Sequence, residues 1–270
     1  MSRVKRGFRL AGVSWRVVVA DPVMLVVLFV GFVGMVVLSA SVFLLLFRRL
    51  PEANDFRFPN YLVVLPVLWI GSIVSNYCNV VVTVMADRRL RGEQPTVSDG
   101  MSVATARLGQ IVSWTLVSMA VGVLLQVIAE RIKLAGPLAS RLFGLAWGLA
   151  TTFVIPVLAL EDLGVRAAIR RSTGIFKAKW GESVVAQGTI SLALMFRVLP
   201  AMMIVGIVLL VSVPLALVVG ALLIGSFVLV SGALGAVVTT ALYRYAIDGA
   251  VLGAFTAEDL EAAYRPKNER

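Results

Sequence analysis

The chain has 270 residues, of which 59% are hydrophobic and 15% charged, with a net charge of +10 at pH 7 and no histidine. A mean hydropathy of +0.94 excludes an ordinary soluble domain, because too few polar groups remain to cover one. The missing histidine removes imidazole metal sites and histidine-based triads, and the single cysteine, Cys78, removes any intrachain disulfide.

The apolar residues come in blocks of about 20 or more, the length that crosses a hydrocarbon core of roughly 30 Å. Backbone polar groups in that solvent must be paired internally, so only helices or a closed barrel are open to the chain. The runs are continuous rather than alternating. The expected fold class is therefore all-α, a polytopic transmembrane helical bundle with spans at 23–47, 60–86, 108–129, 142–160, 192–211 and 217–246. Residues 1–255 read as one six-span membrane domain, and 256–270 as a short helix and tail.

The N-terminal segment is basic, with Arg3, Lys5, Arg6, Arg9 and Arg16. Val4, Phe8, Ala11, Trp15 and Val18 recur at helical spacing, which predicts an amphipathic surface helix. Asp21-Pro22 ends it, because proline disfavours helical geometry in the residue before it. In the second span Ser72, Asn76, Asn79 and Thr83 lie at i, i+4, i+7 and i+11 and so share one face. That polar face packs against other helices through hydrogen bonds or lines a substrate path; facing lipid would be costly.

A second basic segment follows, in which Thr96 and Asp99 have the spacing of a helix N-cap and its acid partner. Val97, Met101, Ala104, Leu108 and Ile111 then form a stripe that runs into the third span. In the fourth span Gly144 and Gly148 permit close helix approach, and Pro156 predicts a kink whose freed carbonyl a neighbour must meet. The third basic segment runs from Glu161-Asp162 to Trp180-Gly181-Glu182 and carries Arg166, Arg170, Arg171, Lys177 and Lys179. Val165, Ala168, Ile169, Ser172, Ile175, Phe176 and Trp180 fall on its other face, so it reads as a basic amphipathic helix on a membrane surface. Glu161-Asp162 suits a helix N-terminus better than catalysis. Arg197 either snorkels from within the fifth span to the headgroups or is a buried functional cation. Arg244 and Asp248 are spaced to pair at the end of the last span.

Six spans place both termini on one side. That side holds 18 cations and the other 6, a bias that predicts cytoplasmic termini in the inner cell membrane. Aligning Gly7, Gly100 and Gly164 brings Ala11, Ala104 and Ala168 into register, and also Val18, Ile111 and Ile175. Each segment precedes a pair of spans, so the chain reads as three repeats of cytoplasmic amphipathic helix plus transmembrane hairpin.

The order of Trp15-Arg16, Asp21-Pro22, Leu90-x-Gly92-Glu93-x-Pro95-Thr96 and Asp99-Gly100 resembles an uncharacterised prokaryotic family of six-helix integral membrane proteins. Pro156-Val157-Leu158, Arg170-Arg171-Ser172, Trp180-Gly181-Glu182, Ala241-Leu242-Tyr243-Arg244-Tyr245-Ala246, Phe255 and Arg265-Pro266-Lys267 fit the same pattern. The resemblance implies a fold and a membrane location but no activity. The arrangement is also similar, more distantly, to membrane domains that accompany some glycerophosphodiester phosphodiesterases; the hydrolase part and its acidic metal cluster have no counterpart here.

No catalytic constellation or cofactor motif is present, so the expectation is a non-enzymatic membrane protein without cofactor. Its expected partners are anionic lipids, and the cytoplasmic face is open to a protein partner; an oligomer is open and nucleic acid is not expected. Arg166, Arg170, Arg171, Lys177 and Lys179 are the candidate docking cations, and Ser72, Asn76, Asn79, Thr83 and Arg197 the candidate intramembrane polar face. The alternative is a passive or partner-driven permease for a lipid or small hydrophobic molecule.

Overall fold

The computed structural model describes residues 3–49, 61–131, 136–180, 213–253 and 255–256. Among them every regular element is a helix: α1 (Arg3–Ala20), α2 (Val23–Arg49), α3 (Tyr61–Leu90), α4 (Val97–Ala106), α5 (Leu108–Arg131), α6 (Gly136–Ala150), α7 (Val154–Leu160), α8 (Val165–Trp180) and α9 (Val213–Asp248); this last is numbered as the ninth in chain order. Five stretches are long and apolar enough to cross a membrane: Val23–Val42, Leu68–Leu90, Leu108–Arg131, Pro137–Leu160 and Leu229–Asp248. They fall on the first four expected spans and the last. The expected fifth span at 192–211, Arg197 within it, and the C-terminal helix at 257–264 lie outside the described residues. Outward residues such as Phe29, Val30, Leu124, Leu138, Leu142 and Phe143 are large, apolar and exposed, a surface suited to hydrocarbon rather than water.

The chain divides into two compact units, one built from Met1–Leu25, Ala86–Gln94 and Ile175–Arg270, the other from Val26–Met85 and Pro95–Gly174. In the first, α1 packs against α9. Val13, Ser14 and Val18 form the buried row of α1, and Ala233, Val237, Thr240 and Ala241 that of α9. The α1 helix stops at Ala20 as Asp21-Pro22 predicts; Asp21 N–H bonds Val18 O, and Leu25 N–H bonds Pro22 O as α2 begins. The α3 helix ends in a Schellman turn. Gly92 takes φ +83°, its N–H bonds Arg89 O, and Glu93 N–H bonds Arg88 O. A left-handed residue there favours glycine.

In the second unit α5 packs against α6. Trp114 stacks on Trp147 with centroids 6.1 Å apart, and the Cα of Gly144 faces α5, where an added Cβ would meet Leu125 at 3.8 Å. That is ordinary van der Waals distance, and a Cβ at Gly148 would meet nothing within 4 Å among the described residues, so the close approach expected at this pair is not seen. The capping box at α4 forms as expected: Thr96 Oγ1 accepts from Asp99 N–H, and Asp99 Oδ2 accepts from Thr96 N–H. Gly100 lies so close to α3 that a Cβ would sit 2.8 Å from Val81 O, which brings α4 directly onto the α3 backbone. The stripe predicted for α4 divides: Ala104 and Ile111 are buried, whereas Met101 and Leu108 are exposed.

Candidate functional site

The helix predicted for the third basic segment forms as α8. Ala168, Ser172, Ile175 and Phe176 are buried, and Arg166, Arg170, Arg171 and Lys177 are exposed. At 3.6 residues per turn, Arg166, Arg170 and Lys177 fall on one stripe opposite the buried residues. The backbone of Lys179 continues the helix, but its side chain lies outside the described residues.

What fixes α8 is an interruption in the fourth span. The chain breaks helix at Thr151–Phe153, just before Pro156, which has no N–H to give to Thr152 O. Thr151 and Thr152 send their hydroxyls back to Trp147 O and Gly148 O, at 2.7 and 2.8 Å. Val154 N–H turns to Thr151 O, and Ala150 O is met from α8. Ser172 Oγ donates to Ala150 O at 2.7 Å and accepts from Phe153 N–H at 3.0 Å. Thr173 Oγ1 adds a longer bond to Ala150 O. One fully buried hydroxyl therefore satisfies both a donor and an acceptor at the break, where an unmet backbone group would cost heavily. The expected break is present, but Ser172 meets Ala150 O and Phe153 N–H rather than Thr152 O, the carbonyl that Pro156 itself frees.

The acids before α8 carry arginines. Glu161 is the C-cap residue of α7 and accepts from Arg171 Nε at 3.1 Å to each oxygen. Asp162 stands at φ +53°, a conformation aspartate tolerates better than most side chains, and pairs with Arg107 at 3.0 Å. Arg107 also donates to Leu158 O at 2.8 Å, a cation placed at the negative end of α7. Of the candidate docking cations, Arg171 is thus engaged within the protein. In the threefold alignment Arg107 and Arg171 occupy the same register, seven residues after Gly100 and Gly164.

On the polar face of α3, Asn76 bonds a neighbouring helix, whereas Ser72 and Asn79 bond their own. Asn76 Nδ2 donates to Thr115 Oγ1 of α5 at 3.0 Å, and that hydroxyl donates to Ile111 O. Ser72 bonds Leu68 O and Asn79 bonds Ser75 O within α3; Thr83 is buried. Among the described residues, the Nε1 of Trp69 and the Oγ of Ser118 and Ser14 are buried without a hydrogen-bond partner.

The ion pair between Asp87 and Arg244 has no counterpart in the sequence pattern. Asp87, which falls in the second basic segment just past the expected span end at 86, still belongs to α3 and is only 5% exposed. Arg244 of α9 grips it with two bonds, Nε to Oδ1 at 2.6 Å and Nη2 to Oδ2 at 2.9 Å. Arg91 lies 3.2 Å from Asp87 and Asp248 lies 3.3 Å from Arg244, the last pair as expected. Bidentate guanidinium–carboxylate geometry is among the stronger polar contacts. The available signal was the position of one acid at the end of an apolar run and of one cation inside another. Arg89 of the same unit donates to Ala20 O, the last carbonyl of α1, at 3.4 Å.

Among the described residues no three His, Cys, Asp or Glu side chains group as metal ligands. No curated protein and no solved structure matches the chain. The chain belongs to the family of unknown function DUF6159, which it matches over residues 59–253.

Proposed function

We propose that this protein is a non-enzymatic multi-pass component of the inner cell membrane, with both termini in the cytoplasm, that binds anionic lipid headgroups through basic surface helices and serves as a membrane scaffold or assembly platform. The observation that carries this reading is the stripe Arg166, Arg170, Lys177, exposed on the side of α8 opposite its buried row. A helix held by Ser172 presents those cations in a fixed array instead of on a mobile loop. Each cation near an anionic leaflet contributes on the order of 1 kcal/mol, so losing two weakens lipid retention by roughly thirtyfold. Arg171, paired with Glu161, is the internal comparison.

Native mass spectrometry of the purified protein with added cardiolipin tests this. The Arg166→Gln/Arg170→Gln variant is expected to lose retained anionic lipid, while Arg171→Gln retains it. Equal retention by wild type and the double variant would refute the lipid role of α8. The repeat reading is supported by matching burial: Ala104 and Ala168 are both buried, as are Val18, Ile111 and Ile175.

A further inference from the structure

The outer face of α1 differs in chemistry from that of α8. Its inner row, Val13, Ser14 and Val18, is buried, while Trp15 is 44% exposed and Val19 54% exposed. Gly12, Arg16 and Ala20 share that exposed side. Trp15, Arg16 and Val19 stand at i, i+1 and i+4, which groups the indole, the guanidinium and the isopropyl group on one surface. Val23, the first residue of the apolar α2, is also exposed. The exposed apolar side chains thus continue from α1 to the start of a helix able to cross a membrane.

We infer that this face of α1 lies in the headgroup layer of the bilayer that α2 enters, with the Trp15 ring and Val19 at the acyl boundary and Arg16 on lipid phosphates. Three features select a lipid surface over a protein partner. Tryptophan is favoured at the membrane–water boundary because its ring is apolar and its N–H needs a polar neighbour. Arg16 can lay its aliphatic stem along the apolar layer and place its charge on phosphate. The short connection at Asp21-Pro22, with Met24 N–H bonded to Asp21 O, keeps α1 at the entrance of α2. The anchor is apolar as well as electrostatic, so it holds on zwitterionic lipid and strengthens on anionic lipid. This inference rests on the membrane reading above, but not on the lipid preference assigned to α8.

Site-directed spin labelling of the whole protein tests it. In a Cys78→Ala background, nitroxides are placed at Val19→Cys and, as a water reference, at the exposed Gln94→Cys. The protein is reconstituted in phosphatidylcholine vesicles and in phosphatidylcholine/phosphatidylglycerol vesicles. The ratio of oxygen to nickel-chelate accessibility is expected to be several-fold higher at position 19 than at 94 in both lipids. Equal ratios would place the face in water, and shielding from both reagents would mean a protein covers it; either result overturns the inference. Protection that appears only with phosphatidylglycerol also overturns it, because attachment would then be electrostatic alone. A second measurement leaves Cys78 intact: brominated phosphatidylcholine should quench wild-type tryptophan emission more than that of Trp15→Phe, and equal quenching would count against insertion. Loss of cardiolipin preference at α8 with position 19 still in lipid would remove the α8 reading and leave this one standing.

Discussion

The helices α1 and α8 share a sequence pattern, a basic segment with apolar residues at helical spacing, yet they differ in what they expose and in what holds them. On α8 the outer stripe is cationic, and the inner face is fixed by the neutral hydroxyl of Ser172 bridging Ala150 and Phe153. On α1 the outer face exposes Trp15 and Val19 beside Arg16. Its unit is bound by charge, with Arg244 gripping Asp87 and Arg89 reaching Ala20 O. The same amphipathic code therefore gives one face suited to penetration and one suited to electrostatic attraction. The difference lies in whether large apolar side chains stand among the outward cations, since an exposed indole in water forfeits burial that a bilayer supplies.

The sharpest way to break the comparison is to remove the ionic lock alone. Asp87→Ala leaves the Arg244 guanidinium, 17% exposed, paired with Asp248 at 3.3 Å. Breaking a buried pair on one side costs about 3–5 kcal/mol. Thermal unfolding in detergent should fall accordingly, and hydrogen exchange should rise in α1 and α9 more than in α8. An unchanged midpoint would show that the pair adds nothing to the hold on that unit.

A smaller loss is expected from Ser172→Ala, which removes the hydroxyl that accepts from Phe153 N–H and the shorter of the two bonds to Ala150 O. Removing one partner of a buried hydrogen bond costs about 1–3 kcal/mol. Exchange should quicken across residues 165–178 and around the break while α1 stays protected. Faster exchange in α1 alone would contradict the assignment.

The smallest effect belongs to Asn76→Leu. Interhelical hydrogen bonds in membranes contribute about 0.6 kcal/mol on average, and Thr115 keeps its bond to Ile111 O. Detergent stability should drop slightly and neither surface helix should change its exchange. A large loss of stability would mean that Asn76 organises more of α3 than its single bond to α5.

Much of this arrangement was legible from local pattern. The extent of α8, the Thr96–Asp99 capping box and the stop at Asp21-Pro22 follow from periodicity, capping chemistry and the missing proline N–H. The kink in the fourth span was legible from Pro156, although its partner was not. Ser172 reads in sequence as a weak member of an apolar face, and only the position of Ala150 and Phe153 makes its hydroxyl necessary. Arg171 looked like one more surface cation until Glu161 was found beside it.

The sequence by itself determined a helical chain with several membrane-length apolar helices, because continuous apolar runs must satisfy their own backbone. It also set which side of α8 is basic, because helical spacing is a local property. The tertiary structure decided that Asp87 and Arg244, 157 residues apart, form one buried pair, and that Asn76 packs on Thr115. Those contacts depend on which helix ends meet, and no short-range rule specifies that.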